Sequence, residues 1–208
     1  MSSSINKEEN KIGILISGRG SNIESIIKSC QNNYIPAVVA IVISDNPDAL
    51  GIKIAQSYNV PTEIIERKLF PSKEEFEKHI ISLLNENEVK LICLAGFMRI
   101  LSPLFVRTFS GRIMNIHPAL LPSFPGLHAQ RQALDYGVKI SGATVHFVDE
   151  GVDTGPIIIQ KAVEVLDNDT EESLSQRILQ KEHQIYPKAI KLFFENKLII
   201  DGRKVKIN

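Results

Sequence analysis

The strongest chemical signal in the sequence is an amide and an imidazole two residues apart, Asn115 and His117 in "MNIHPALLPSFPGLH". A β-strand turns residues i and i+2 to the same face, so the two side chains project together. Two N–H donors aimed at one point suit an oxygen that becomes negative while a carbonyl is attacked. Prolines 118, 122 and 125 follow and restrict the backbone, which would hold both side chains in place.

Such a donor pair needs a group that sets the charge of the imidazole and accepts a proton. The loop "DEGVDTGP" offers three carboxylates, Asp149, Glu150 and Asp153. A carboxylate beside His117 would raise the pKa of the ring and favour the imidazolium, a stronger donor. The alternative is a solvated or core histidine without a chemical role. No Ser or Cys stands in a nucleophile-elbow context, so a covalent acyl-enzyme is not indicated.

A second candidate site is the glycine loop "SGRGSN" between the first strand-like run and a helix-like run. Glycine permits a tight turn, and a helix N-terminus presents free N–H groups to an anion. We therefore expect a phosphate beside Gly20, Ser21 and Asn22. Ile23 stands where a dinucleotide fingerprint needs its third glycine, so NAD is not expected. The alternative is that Ser21 or Asn22 only caps the helix.

Short apolar runs alternate with amphipathic stretches through the first part of the chain. The runs are continuous and β-branched, which is typical of buried parallel strands, and the stretches between them predict crossover helices. The expected fold is α/β, with a mainly parallel, doubly wound sheet and a Rossmann-like first half. The runs are "KIGILIS", "AVVAIVIS", "TEII", "KLICLAG" and "GRIMNIH". The last one ends at His117, so the amide and imidazole lie at the carboxyl edge of the sheet, where open α/β sheets bind ligands.

The second half of the chain predicts a more antiparallel arrangement. "ISGATVHFV" and "PIIIQKAVEV" read as two strands joined by the acidic loop, and "KLIIDGRKVKI" reads as a hairpin turning at Asp201-Gly202. His146, inside the first of these strands, is expected to be structural. A long helix is expected to begin at Asp169 or Thr170.

That long helix carries a carboxylate on its apolar face. Glu182 shares one stripe with Leu174, Ile178, Ile185 and Ala189 at spacings of three and four residues. An inward-facing carboxylate is costly unless it has a partner. Pro187 is expected to kink or end the helix shortly afterwards.

Composition limits the class of protein. The chain of 208 residues balances 24 basic against 24 acidic residues, so it has no overall charge that would favour nucleic acid or an anionic membrane surface. It contains no apolar run of membrane-spanning length and no signal-peptide core, and we expect a cytoplasmic protein. Cys30 and Cys93 are expected to be reduced thiols, and no metal-ligand spacing is present. Residues 1–10 are expected to form a flexible tail before a single domain, residues 11–208.

Five motifs in order resemble the phosphoribosylglycinamide formyltransferase family, from about Lys11 to Leu198: "ISGRGSN", "LAGFMRILSP", "NIHPALLPSFPGLHAQRQAL", "GATVHFVDEGVDTGPII" and "QKEHQIYP". The resemblance implies the formyltransferase fold and 10-formyltetrahydrofolate as co-substrate, whose formyl group goes to the amine of glycinamide ribonucleotide in purine synthesis. It also implies a cis Leu121-Pro122 bond and these site residues: catalytic Asn115, His117 and Asp153; phosphate-binding and ribose-binding Gly20, Ser21, Asn22 and Glu182; folate-binding Lys73, Met98, Arg99, Ile100, Leu101 and Asp149.

Two positions depart from the pattern of the family. Lys73 stands where many bacterial members carry an arginine near the folate glutamate tail, so the charge is kept and the bidentate fork is lost. Leu179 replaces a glutamine one helical turn before Glu182, so a contact there is absent. His128 lies near the expected site without an assigned role.

Three other functions share part of the pattern. Formyltetrahydrofolate deformylase has the same Asn-His-Asp set but normally carries an N-terminal regulatory domain, and methionyl-tRNA formyltransferase has a C-terminal RNA-binding extension. A non-catalytic nucleotide-binding module would need only the glycine loop. The expected partners are therefore two small molecules, with the protein a monomer or a homodimer and neither nucleic acid nor membrane involved.

Overall fold

In the computed structural model, which describes residues 7–208, the first half of the chain forms the parallel part of one sheet. The predicted apolar runs all become strands: β1 (Lys11–Ile16), β2 (Val38–Ser44), β3 (Thr62–Ile64), β4 (Leu91–Leu94) and β5 (Ile113–His117). They pair in parallel in the order β3-β2-β1-β4-β5. β4 is buried along its whole length, as expected of a strand covered on both faces.

Helices cover both faces of these strands, which confirms the doubly wound arrangement. β1 sends Ile12 and Ile14 into the core on one face and Leu15 into the core on the other. The helices are α1 (Ile23–Gln31), α2 (Leu50–Ser57), α3 (Lys73–Glu86), α4 (Pro103–Thr108), α5 (Ala129–Tyr136) and α6 (Glu171–Phe194). The first core lies under α1, α2 and α6, and the second lies under α3 and α4.

For α3, the run "PSKEEFEKHIISLLNE" predicts Ser72 as N-cap and an inner stripe of Phe76, Ile80, Leu83 and Leu84. The cap is present, because the Ser72 side chain accepts a hydrogen bond from the Glu75 amide at 3.1 Å. The inner face differs from the predicted stripe: Leu83 is only partly buried, while Glu77 is 2% exposed. α4 was not predicted. Ser102 caps it through a bond from the Phe105 amide at 3.2 Å, and Pro103 fills its first position, a combination that starts helices.

The second half of the chain adds the antiparallel part of the sheet. β6 pairs antiparallel with β7, as expected of two strands joined by the acidic loop, and it also pairs antiparallel with β5, which was not predicted. The terminal hairpin joins the same sheet through a parallel bridge between Ile157 and Lys204, which gives nine strands in all. These strands are β6 (Ile140–Phe147), β7 (Ile157–Glu164), β8 (Leu198–Asp201) and β9 (Lys204–Ile207).

The long helix α6 begins as predicted, with Thr170 as its N-cap, but it runs through Pro187 to Phe194. Pro187 was expected to kink or end the helix, and the expectation that the helix ends there is wrong. A proline inside a helix costs about 3 kcal/mol. Its neighbours Tyr186 and Ile190 are both fully buried, and burial of each such side chain stabilises the fold by about 1.5–3 kcal/mol. Packing against the sheet therefore outweighs the lost hydrogen bond.

Residues 1–6 of the predicted tail lie outside the described residues. Two short turns of 3-10 helix span Lys7–Glu9 and Arg67–Leu69. The side-chain Nδ2 of Asn10 donates to the Pro36 carbonyl at 2.8 Å. Cys30 and Cys93 are buried free thiols, and burial raises the pKa of Cys30 to about 12. Within residues 7–208, no helix is long and apolar enough to cross a bilayer.

Candidate active site

The carboxyl ends of β1, β4 and β5 open onto a cavity of about 1130 Å³. Its walls are the glycine loop after β1, the segment after β4, the end of β5, the loop after β6 and the first half of α6. This is the edge at which an open α/β sheet keeps its ligand sites.

Asp153 lies against both polar side chains of β5. The Asn115 Nδ2 donates to Asp153 Oδ1 at 3.3 Å, and the His117 Nδ1 lies 3.3 Å from Asp153 Oδ2. The loop after β6 therefore reaches the end of β5, and of its three candidate carboxylates Asp153 is the one in contact. The structure brings together three residues that are up to 38 positions apart in the chain.

The second ring nitrogen of His117 is also engaged. Its Nε2 lies 2.8 Å from the Phe124 carbonyl oxygen, which can only accept, so Nε2 carries a proton. Burial lowers the pKa of His117, although the Asp153 carboxylate and the Phe124 carbonyl act in the opposite direction. The expected carboxylate contact is present and acts in the expected direction, but His117 is only 4% exposed and burial outweighs that contact, so the pKa is lowered overall.

Asp153 itself sits in a left-handed backbone conformation, with φ 54°, and accepts a hydrogen bond from the Gly126 amide at 2.8 Å. Burial alone would raise the pKa of Asp153. The neighbouring His146 ring, the hydrogen bond from the Gly126 amide and the His117 ring lower it overall, so the carboxylate stays ionised. An ionised carboxylate next to a donor pair can accept a proton from an attacking amine.

His146 belongs to the same cluster, although the sequence suggested only a structural role. Its Nδ1 donates to the Phe147 carbonyl at 2.8 Å, and its Nε2 lies 3.2 Å from Asn115 Nδ2. The signal that could have found it is strand register, because β5 and β6 pair Asn115 directly with His146.

The glycine loop needs glycine at position 20, which has φ 65°; a Cβ there would lie 2.7 Å from the Gly51 Cα. Asn22 precedes α1 but makes no side-chain cap; its Nδ2 donates to Glu182 Oε2 at 2.8 Å. The capping alternative for Asn22 is therefore wrong. Ser21 is tied to α6 as well, because His183 Nε2 donates to its carbonyl at 2.7 Å.

Glu182 has the partner that its inward position requires. It is 7% exposed, and burial raises its pKa even though the Asn22 bond acts in the opposite direction. The residues predicted for phosphate and ribose thus form one connected wall of the cavity. Leu179, one turn earlier on α6, also lines this wall and supplies no polar contact.

The predicted folate residues Met98, Arg99, Ile100, Leu101 and Asp149 all line the cavity. Met98 and Ile100 are 62% and 64% exposed and offer an apolar surface. Arg99 forms an ion pair with Asp45 and lies 5.7 Å from the centre of the Phe76 ring.

Lys73 is the predicted folate residue that the structure does not bring to the cavity lining. It is the first residue of α3, and its Nζ lies 3.9 Å from Glu77 Oε1. Two residues near the site were passed over or left unassigned: Arg19 and His128 both line the cavity. Arg19 was not predicted because the signal of a glycine loop lies in its backbone, and its side chains were not considered.

Among residues 7–208, no cluster of three or more His, Cys, Asp or Glu side chains is arranged to hold a metal ion.

Comparison with known proteins agrees with this geometry. The formyl transferase family profile matches residues 10–190. The chain is 45% identical to phosphoribosylglycinamide formyltransferase of Bacillus subtilis, with 87% of this chain and 93% of that protein aligned. It is 46% identical to the trifunctional purine biosynthetic protein adenosine-3 of Drosophila melanogaster, of which it spans only 15%. A crystal structure of glycinamide ribonucleotide transformylase 1 from Symbiobacterium toebii superimposes with a TM-score of 0.94 at 50% identity, over 95% of this chain and 93% of that one.

Proposed function

The chain belongs to the phosphoribosylglycinamide formyltransferases, a folate-dependent group within the formyl transferase family, and we propose on this basis that it formylates glycinamide ribonucleotide in de novo purine biosynthesis. The formyl donor in this proposal is 10-formyltetrahydrofolate, a co-substrate. The observation that carries the proposal is the contact of Asp153 with both Asn115 and His117, at 3.3 Å each, inside a cavity that also contains the glycine loop.

The geometry supports direct attack. With its phosphate beside Gly20, Ser21 and Asn22, the substrate extends its amine toward the end of β5. The amine nitrogen bonds to the formyl carbon, the carbonyl oxygen takes the electron pair, and the bond from that carbon to the folate nitrogen breaks as the carbonyl re-forms. Asp153 accepts the amine proton, directly or through water, and the same proton passes to the folate nitrogen as that nitrogen leaves, so the products are the formylated amine and tetrahydrofolate.

Asn115 and His117 are the proposed donors to the negative oxygen. Asn115 has two amide protons, which the cluster directs to Asp153 and His146, so a formyl oxygen must replace one of these acceptors. The two ring nitrogens of His117 lie against the Phe124 carbonyl and Asp153, so the formyl oxygen must likewise take the place of one of these partners. Burial disfavours the imidazolium and Asp153 favours it, and negative charge developing on the oxygen adds to the effect of Asp153. Both donors then stabilise the transition state more than the ground state, which is what catalysis requires.

We also propose that the pteridine end of the folate lies against Met98 to Leu101 and the loop at Asp149, which line the cavity. Lys73 does not line the cavity. It remains a candidate contact for the glutamate tail of the folate only where that tail extends beyond the lining residues. We propose a cytoplasmic monomer or homodimer without a nucleic-acid partner, which the balance of 24 basic and 24 acidic residues supports.

The function is tested by incubating the protein with 10-formyltetrahydrofolate, with and without glycinamide ribonucleotide, and following both folate products and the formylated nucleotide. We expect formyl transfer that depends on the amine. Formyl loss without the amine would instead identify a deformylase, and no loss in either reaction would identify a non-catalytic binding module.

A further inference from the structure

One short segment of backbone touches both proposed catalytic side chains. The Phe124 carbonyl accepts from His117 Nε2 at 2.8 Å, and the Gly126 amide donates to Asp153 Oδ2 at 2.8 Å. The orientation of the ring and of the carboxylate therefore depends on where residues 124–126 lie.

The backbone of this segment does not favour that position by itself. Phe124 has φ 55° and His128 has φ 58°, in the left-handed region where a Cβ is disfavoured. A non-glycine residue stays in that region only where surrounding contacts hold it. Contacts from outside the segment must therefore keep the Phe124 carbonyl pointed at His117.

α5 supplies those contacts. Gln132 Nε2 donates to the Pro125 carbonyl at 3.2 Å and to the Leu127 carbonyl at 2.9 Å. One turn later on the same helix, the Tyr136 ring packs edge-to-face on the Phe124 ring, with centroids 5.9 Å apart. Residues four apart share one face of a helix, so a single face of α5 holds the segment from both ends.

We propose that Gln132 is a positioning residue for the formyl transfer assigned above, on which this inference rests. By holding the Pro125 and Leu127 carbonyls, it fixes both the Gly126 amide between them and the peptide that directly follows the Phe124 carbonyl. That carbonyl keeps a proton on His117 Nε2 and sets the angle of the ring. Gln132 touches neither reacting group and acts through the backbone.

The sharpest variant is Gln132→Glu, which keeps the length of the side chain but replaces the donating amide by an ionised carboxylate that can only accept. Gln132→Ala removes both bonds without adding charge. A misplacement of about 1 Å at a catalytic group lowers the rate by up to about 10²-fold. We expect kcat to fall by about 10-fold to 10²-fold in both variants, with KM for both substrates within about twofold of the wild type.

Arg131→Ala is the matched control. Arg131 neighbours Gln132 on the same exposed helix, but it pairs with Asp135 at 3.0 Å and has no bond to the segment. We expect its kcat and KM to equal those of the wild type. A loss in Arg131→Ala as large as that in Gln132→Glu would attribute the effect to α5 as a whole and overturn the proposal.

A spectroscopic measurement separates positioning from general destabilisation and needs no substrate. In protein labelled with ¹⁵N-histidine, His117 Nε2 should show a protonated, hydrogen-bonded nitrogen, assigned by its loss in His117→Asn. In both Gln132 variants we expect that signal to shift and its proton to exchange faster, with little change in Tm. An unchanged signal together with kcat within twofold of the wild type would refute the proposal, as would a lower Tm with the signal unchanged. If the wild type transfers no formyl group, the proposed function fails while this signal still tests the contact.

Discussion

At the scale of single residues, Asp153 carries the most specific chemistry, because its carboxylate contacts both donors and stays ionised. Asp153→Asn keeps the shape and removes the proton acceptor. We expect kcat to fall by about 10²-fold to 10⁴-fold, the usual contribution of a positioned acid or base. Steady-state kinetics at saturating concentrations of both substrates measure this loss.

Glu150→Gln is the control for that variant, because Glu150 lies in the same loop and pairs with Arg107 on the surface. Its kcat should stay near that of the wild type, and circular dichroism should show both variants folded. A nearly normal kcat in Asp153→Asn would exclude the proposed role.

Glu182 gives a second prediction at this scale, about stability and pH. Burial raises its pKa in the folded protein, so folding favours the protonated carboxyl. The stability that Glu182 contributes is therefore present below the ordinary glutamate pKa and is lost as pH rises through the raised value. Glu182→Gln removes this loss while its amide oxygen can still accept from Asn22.

We therefore expect Glu182→Gln to have a higher Tm than the wild type at neutral pH, with the difference shrinking as the pH is lowered toward 4. The same variant should raise KM for glycinamide ribonucleotide, because a neutral amide is a weaker acceptor for the ribose hydroxyls. Thermal melts across that pH range, with the exposed Glu172→Gln as control, measure the first effect. A lower Tm at every pH would contradict it.

At the scale of elements, the segment after β4 is held by a buried carboxylate. Glu77 on α3 accepts from the Ser102 amide at 2.9 Å, while its other oxygen is buried without a partner. Ser102 is the N-cap of α4 and follows the proposed folate segment directly. The far end of that segment is anchored by the Met98 amide, which donates to Ser17 Oγ at 2.8 Å.

We expect Glu77→Ala to loosen this segment and raise KM for the formyl donor. A hydrogen bond is worth about 1 kcal/mol, which corresponds to about fivefold. Glu77→Gln keeps an accepting oxygen and should retain most of the affinity. Hydrogen exchange at the Ser102 amide should accelerate in Glu77→Ala alone. Equal KM values in the wild type and Glu77→Ala would show that the segment does not depend on this bond.

The elements themselves were largely predictable because their signals are local. β-branched runs and the caps at Ser72 and Thr170 depend on residues next to one another, and the predicted strands and helix starts agree with the structure. α4 was missed because it is one and a half turns long and follows an apolar segment. Pro187 was misjudged because its neighbours are buried by contacts that are distant in the chain.

At the scale of the whole molecule, the site joins both halves of the chain. The parallel half supplies Asn115, His117 and the glycine loop, while Asp153 and His146 come from the antiparallel half. Residue types and spacing indicated Asn115, His117 and the glycine loop as candidate parts of the site, and offered Asp153 as one of three carboxylates. They did not predict which carboxylate meets His117, or that His146 faces Asn115, because both depend on β6 returning antiparallel beside β5.

The terminal hairpin, β8 and β9, does not line the cavity. Glu182 is the last residue of the cavity lining, and the hairpin joins the sheet at the single bridge from Ile157 to Lys204. Deleting residues 198–208 should therefore leave kcat and KM unchanged. It should lower Tm, because the partly buried Leu198 and Val205 pack against the core, and it should make β7 an open edge that favours association. Kinetics, thermal melts and light scattering on the shortened chain test this, and a loss of kcat in a folded, monomeric product would show that the hairpin contributes to the site.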